Sequence, residues 1–289
     1  MKPDIVFFSN GSCFDLSIPV YSRFIRKINV PFLTYLALNT EHETLPYPRM
    51  LDLRYGFQSA ASVIFSSRRN LETAERQIAG NIDNAVTLTN PPTCTEYPEY
   101  PWPDQSIVRF AMVARLNAKI KGQPLALAVL ADERWRKREW HLDIFGKGPD
   151  EQYIRALVEH YDLQDKVSFR GYATDVGQEI WAENHVLLMP SLYEGCPISL
   201  YDAALFGRPA IVSDVGGNAE FVLEGENGFV AAAPSVPSFS DALERAWNAK
   251  GELSKMGQVA LERASSIVDM APENIVYAQM QEIVKNGRR

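Results

Sequence analysis

Short apolar runs alternate with helix-period stretches along the whole chain. In the first part, Asp4 to Ser9, Pro31 to Leu38, Val63 to Ser66 and Val86 to Leu88 read as strands. Between them, Val20 to Ile28, Arg49 to Ala60 and Asn70 to Ile78 read as helices. Apolar runs without polar alternation predict strands covered on both faces, and strand–helix alternation predicts a parallel sheet. The pattern breaks at Asn90-Pro-Pro-Thr93 and Tyr97-Pro-Glu-Tyr-Pro-Trp-Pro-Asp104. Proline fixes φ and removes a backbone donor, so this stretch predicts a stiff, non-helical connector and a domain boundary.

The alternation then restarts. Strands are predicted at Ile107 to Ala114, Trp140 to Phe145, Val167 to Arg170, Val186 to Met189, Ala210 to Ser213 and Phe229 to Ala232. Helices are predicted at Pro124 to Ala131, Asp150 to His160 and Gln178 to Glu183, from Pro197 onward, and near Asn218 to Leu223. Three more follow at Phe239 to Asn248, Leu253 to Ser265 and Asn274 to Val284. The fold class is therefore α/β, with two parallel-sheet domains. The expected division is 1–100, 101–270 and a C-terminal helical segment 271–289.

Composition narrows the class. The chain has 289 residues, enough for two domains with their own cores, and 46% hydrophobic with 22% charged residues fits a soluble globular protein. A net charge of −7 without a long basic stripe argues against a nucleic-acid partner. Arg134-Trp-Arg-Lys-Arg138 is the local exception. It reads either as a solvated helix end or as a peripheral contact with an anionic membrane surface. Cys13, Cys94 and Cys196 have no metal or redox spacing, as in a reducing compartment. No apolar run reaches spanning length and no signal pattern opens the chain, so a cytoplasmic location is expected. No Asp-x-Asp occurs and His42, His141, His160 and His185 are scattered, so no metal cofactor is expected.

The stretch from Ser191 to Phe221 carries the chemistry. A strand ends in Pro190-Ser191, a turn holds Glu194 and Gly195, a helix starts near Pro197, and a second strand ends in Gly216-Gly217. Parallel sheets bind ligands beyond the carboxyl ends of their strands, and a helix start suits a phosphate. The Glu194 carboxylate suits sugar hydroxyls instead. Together these features suggest a nucleotide-sugar. Arg115 and Lys121 flank the loop after the first strand of the second domain and suit a diphosphate; the alternative is two surface cations beside a turn. Gly146-Lys-Gly148-Pro149 is a strand-to-helix turn, not a dinucleotide fingerprint. Gly171 and Tyr172 follow the next strand, where Tyr172 either stacks on a nucleobase or is a half-buried loop residue. A glycosidase couple of Glu194 and Asp202 is disfavoured, because one would face the sugar and the other look past the phosphates.

These residues resemble the family-four retaining glycosyltransferases (glycosyl transferases group 1), which have the GT-B fold. Six ordered blocks carry the resemblance: Ala114-Arg-Leu with Lys121-Gly; Ile144-Phe-Gly-Lys-Gly-Pro149; Val167-Ser-Phe-Arg-Gly171; Leu187 to Ala203; Gly207 to Gly217; and Glu220 to Phe229. The resemblance implies that Arg115 and Lys121 grip the donor diphosphate. It implies that Glu194, the first acid of a Glu-x7-Glu motif, binds sugar hydroxyls near the reacting carbon. Gly195, Cys196 and Ile198 would present backbone groups, and Pro197 has no N–H to give. The second acid, which binds the ribose, falls on Asp202, one methylene shorter than Glu. Hexosyl transfer from a nucleoside-diphosphate sugar to a sugar, lipid or small-molecule acceptor is implied, with retention and without a protein nucleophile.

The first domain resembles only the latter part of the family's acceptor domain. Three explanations compete: a fragment, a subunit completed by a partner chain, or a non-catalytic nucleotide-sugar-binding module. An exposed sheet edge and self-association are expected there. A sugar-nucleotide epimerase is the weakest alternative, with His42 a poor acid/base candidate.

Overall fold

The computed structural model describes residues 3–15, 17–103 and 107–287. Asp104, the last residue of the proline-rich run, lies outside the described residues. The contacts divide the chain into two compact units. The first comprises residues 1–91, 193–196 and 269–289; the second comprises 92–192 and 197–268.

The first unit opens with β1 (Val6–Asn10), α1 (Ser17–Ile28), β2 (Phe32–Leu36), α2 (Tyr47–Ser59), β3 (Ser62–Phe65), α3 (Arg68–Ile78) and β4 (Ala85–Thr87). The strands form one parallel sheet in the order β1-β2-β3-β4. β2 and β3 are inner strands and almost wholly buried, which is why their sequences are mostly apolar with no polar alternation. α1 buries Ile18, Ser22 and Ile25, one stripe at helical spacing. α3 starts at Ser67, whose hydroxyl accepts from the Asn70 amide at 3.2 Å.

The second unit continues with β5 (Val108–Val113), α4 (Ala118–Lys121), α5 (Gln123–Leu130), α6 (Glu133–Arg136), β6 (Trp140–Phe145), α7 (Glu151–His160) and β7 (Val167–Gly171). After a π-helical turn at Gly177–Trp181 come β8 (Val186–Met189), α8 (Ile198–Leu205), β9 (Ala210–Ser213), α9 (Asn218–Phe221), β10 (Gly228–Ala231), α10 (Val236–Asn248) and α11 (Leu253–Ile267). Its six strands are parallel in the order β10-β9-β8-β5-β6-β7. The order reverses beside β5 and β8, a topological switch point of the kind that opens a ligand crevice. α12 (Glu273–Gly287) belongs to the first unit.

The two parallel sheets agree with the sequence pattern. The proline-rich stretch does not stand as a bare connector, since residues 92–103 pack within the second unit. The Tyr97 and Tyr100 rings sit 4.8 and 5.8 Å from Phe206. The basic segment Arg134–Arg138 is also engaged locally. Arg138 makes a two-pronged ion pair with Glu244 at 2.6 and 2.7 Å and lies over Trp135 and Trp247, while Lys137 pairs with Glu133 and Arg134 with Asp132. These pairs favour the solvated helix end over a free basic patch. No described helix is long and apolar enough to cross a membrane.

Candidate active site

In the second unit, the loops at the carboxyl ends of β5, β6, β7 and β8 are tied to one another. The Leu116 amide donates to the Lys147 carbonyl at 3.1 Å, and the Asp150 amide donates to the Leu116 carbonyl at 3.1 Å. Asp150 then accepts from the Ala118 amide at 2.8 Å. The Gly146 amide donates to the Gly171 carbonyl at 2.6 Å, and Leu192 to the Ile120 carbonyl at 2.8 Å. Gln123, buried, donates to the Arg115 carbonyl at 3.1 Å.

Glycine permits this approach. A Cβ on Gly146 would lie 1.9 Å from the Ala114 oxygen, one on Gly148 2.2 Å from the Leu116 oxygen, and one on Gly122 1.9 Å from the Pro190 oxygen. Gly146 and Gly122 also have φ of +123° and +64°, which L side chains rarely adopt. In the sequence Gly148 reads only as part of a strand-to-helix turn, and its role becomes clear only in this packing. Gly171 also has positive φ, but nothing crowds its missing Cβ.

Arg115 is exposed at the start of this lattice. Lys121 ends α4, which Asn117 caps by accepting from the Ile120 amide at 3.3 Å. The two cations therefore stand on a braced loop at the carboxyl edge of one sheet. α8 begins after Pro197 without a side-chain cap, and Ile198 in its first turn is partly exposed. A helix start of this kind offers N–H groups and partial positive charge. Tyr172 is 70% exposed, so it is a surface aromatic rather than a half-buried loop residue.

Asp202 is placed differently from its expected ribose-facing role. It is buried in α8, with both carboxylate oxygens engaged. The Thr93 amide and Tyr97 hydroxyl donate to Oδ1 at 2.9 and 2.7 Å, and the Thr93 hydroxyl donates to Oδ2 at 2.5 Å. Burial, together with the negative charge of Asp202 beside it, pushes the Tyr97 hydroxyl well above the usual tyrosine range. Neither Thr93 nor Tyr97 was singled out by the sequence, because a contact across more than a hundred residues leaves no local trace.

Glu194, Gly195 and Cys196 belong by their contacts to the first unit, whereas Arg115 and Lys121 belong to the second. A Cβ on Gly195 would lie 1.7 Å from the Ala37 oxygen and 2.6 Å from Ser66 Oγ. Ser66 in turn donates to the Ala37 carbonyl at 2.8 Å and accepts from Asn70 at 3.1 Å. The Cys196 carbonyl accepts from Asn90 at 2.9 Å, and Asn90 accepts from the Tyr35 hydroxyl at 2.5 Å. Burial, with the nearby Cys196, raises that tyrosine to about 12. The acidic turn is thus seated on the carboxyl ends of β2 and β3, with Glu194 itself buried. Among the described residues no group of three or more His, Cys, Asp or Glu side chains could hold a metal ion.

Residues 102–263 match the family described as glycosyl transferases group 1. An exopolysaccharide phosphotransferase of Streptomyces coelicolor is 30% identical over 146 residues, half of this chain and 15% of that protein. A glycogen synthase of Pseudomonas fluorescens is 34% identical over 140 residues, 48% of this chain and 26% of that protein. The matched segments thus span well under a third of these relatives' own length. Among solved structures, HepE of Anabaena in complex with UDP is similar with a TM-score of 0.74 at 16% identity, covering 96% of this chain and 78% of that one. The chain has the GT-B fold and belongs to the glycosyl transferases group 1 family.

Proposed function

We propose that this chain transfers a hexosyl group from a nucleoside-diphosphate sugar to a sugar, lipid or small-molecule acceptor, with retention of configuration. The observation that carries this reading is the set of loops braced at the carboxyl edge of the second sheet, with Arg115 and Lys121 upon it. A departing diphosphate needs positive charge fixed in advance, because side chains that must reorganise give back much of what they stabilise. Gly146, Gly148 and Gly122 fix the backbone, and the backbone fixes where the two cations start. The start of α8, with Ile198, adds partial positive charge for the phosphates. Glu194 takes the sugar hydroxyls, Gly195 and Cys196 bring main chain to the sugar, and Tyr172 stacks on the base next to Gly171. With cations and a helix end facing the leaving group, the reading includes no resident metal.

A uridine donor is the first to test, since UDP occupies the structurally similar HepE. Calorimetry with UDP-, GDP- and ADP-glucose identifies the base. Product analysis then follows on acceptor panels, reading the anomeric configuration by NMR, with and without a chelator. Retention without chelator sensitivity is the expected result. Inversion, or chelator-dependent turnover, contradicts it. Donor binding without turnover on any acceptor would make the chain a nucleotide-sugar-binding module instead.

A further inference from the structure

The proline-rich stretch also borders a groove of about 530 Å³, on the far side of the second sheet from the braced loops. The stretch precedes the amino end of β5, and Gly207-Arg208 precede the amino end of β9. A six-residue strand such as β5 spans roughly 20 Å, so the groove is separate from the carboxyl-edge site.

Its two walls differ in chemistry. One is aromatic: Tyr97, Tyr100 and Trp102 are each half-buried, with Phe206 behind the tyrosines. The other is a stripe along α11, formed by Ser254, Gln258, Leu261 and Ser265. Their spacing of three or four residues puts them on one helix face, and the neighbouring charges Lys255 and Glu262 do not line the groove. Glu99 and Arg208 are the charged residues of the lining. Arg208 is 2% exposed and turned inward. Its Nε donates to the Trp181 and Asn184 carbonyls, Nη1 to Phe206, and Nη2 to Pro101 and Trp181. Every guanidinium nitrogen is thereby committed to main chain, and none is left for an anion. Burial lowers this group to about 10, so it stays charged at neutral pH.

An aromatic wall facing an uncharged hydroxyl and amide wall matches a ligand with one apolar face and a rim of neutral donors and acceptors. A phosphate or sulfate would find no available cation and would meet Glu99. A lipid tail would strand the serines and Gln258 without partners. We propose that this groove binds a neutral oligosaccharide, lying with its C–H face on the aromatic wall and its hydroxyls toward α11. The site is independent of the proposed donor crevice.

The test uses the full chain with maltoheptaose, cellohexaose and hexa-N-acetylchitohexaose, followed by saturation-transfer NMR and calorimetry. At least one should bind, and saturating UDP should not displace it. Gln258→Arg and Ser265→Arg, both at exposed positions, should weaken that binding tenfold or more while leaving the melting temperature near that of the parent. Arg115→Ala should leave it intact, so loss of donor binding and loss of glycan binding are separable. The proposal is overturned if none of the three binds at millimolar concentration, if UDP displaces the glycan, or if the groove variants bind as the parent does. Preference for dextran sulfate or for a proline-rich peptide over the neutral sugars would overturn it too.

Discussion

The Thr93 hydroxyl donates to Asp202 Oδ2 at 2.5 Å, and the Thr93 amide donates to Oδ1 of the same carboxylate at 2.9 Å. One threonine thus closes on both oxygens of a buried acid, and Tyr97 adds a third donor. The proline-rich stretch is fastened to α8 by this contact. Hydrogen bonds to a charged group contribute about 1.5–3 kcal/mol each. Thr93→Val and Tyr97→Phe should each lower unfolding free energy by about 1–3 kcal/mol. Asp202→Ala strips all three donors and should cost more than either. Urea unfolding measures this. If Asp202→Ala left stability unchanged while weakening donor binding, the carboxylate would be a ribose ligand and the clamp incidental.

The braced loops make a graded glycine prediction. Gly148→Ala and Gly146→Ala force a Cβ onto main-chain oxygen, which no side-chain movement relieves. Both should unfold or misplace the β5 and β6 loops, with nucleotide binding lost. Gly171→Ala carries only the strain of a left-handed residue, about 1–2 kcal/mol, because nothing lies within 4 Å of its Cβ. It should remain folded and retain binding. Equal behaviour of Gly148→Ala and Gly171→Ala in thermal melts and UDP titration would refute the packing argument.

Much of the sheet was legible because inner parallel strands are covered on both faces. β6, β8 and β9 begin and end where the apolar runs do. The helical stretch expected at Gln178 to Glu183 is instead a π-helical turn at Gly177–Trp181. Gly177 is the close neighbour of Tyr100 and Phe206, a tertiary constraint that local periodicity does not encode. The cations Arg115 and Lys121 were legible from their places beside a strand end. The seat of the acidic turn was not. Chain order sets Glu194 among elements of the second sheet, yet its neighbours Gly195 and Cys196 are fixed by Ala37, Ser66 and Asn90 of the first unit. Asp202 shows the same limit: a motif assigns it a ligand, while distant Thr93 and Tyr97 claim its oxygens.

Arg115→Ala and Lys121→Ala should act on chemistry rather than folding. Arg115 is exposed, so its removal should leave the melting temperature nearly unchanged. Loss of one preorganised electrostatic group typically costs about 10²–10³ in rate. Each variant should show a fall of that order in kcat/KM for the donor, with Arg115→Lys recovering part of it. Wild-type turnover in both variants would remove the diphosphate role.

His185 supplies a pH dependence with a defined sign. It is buried at the start of β8, where Nδ1 accepts from the Arg109 amide at 3.0 Å and Nε2 reaches the Pro103 carbonyl at 3.1 Å. Those two bonds require the neutral ring with its proton on Nε2. Burial lowers the imidazole below its ordinary value, the nearby Arg208 and Arg109 charges lower it further, and the Pro103 carbonyl opposes them. The unfolded chain therefore takes up this proton first as pH falls. Stability from His185 is complete above the unfolded value of about 6.5 and declines as pH drops below it, until the folded ring also protonates. Urea midpoints measured from about pH 8 to pH 5 should fall on the acid side of that value. In His185→Gln, which has no proton to gain, that part of the slope should vanish even if the parent stability is lower. An identical acid slope in both proteins would assign the effect to other groups. The buried carboxylate Asp143 is not one of them. Burial works to raise it, but the neighbouring His141, the hydrogen bond from Arg170 and the charge of Arg109 hold it below the usual carboxylate range. Its contribution is lost only as pH falls through a still lower folded value, so it should appear well below the His185 window.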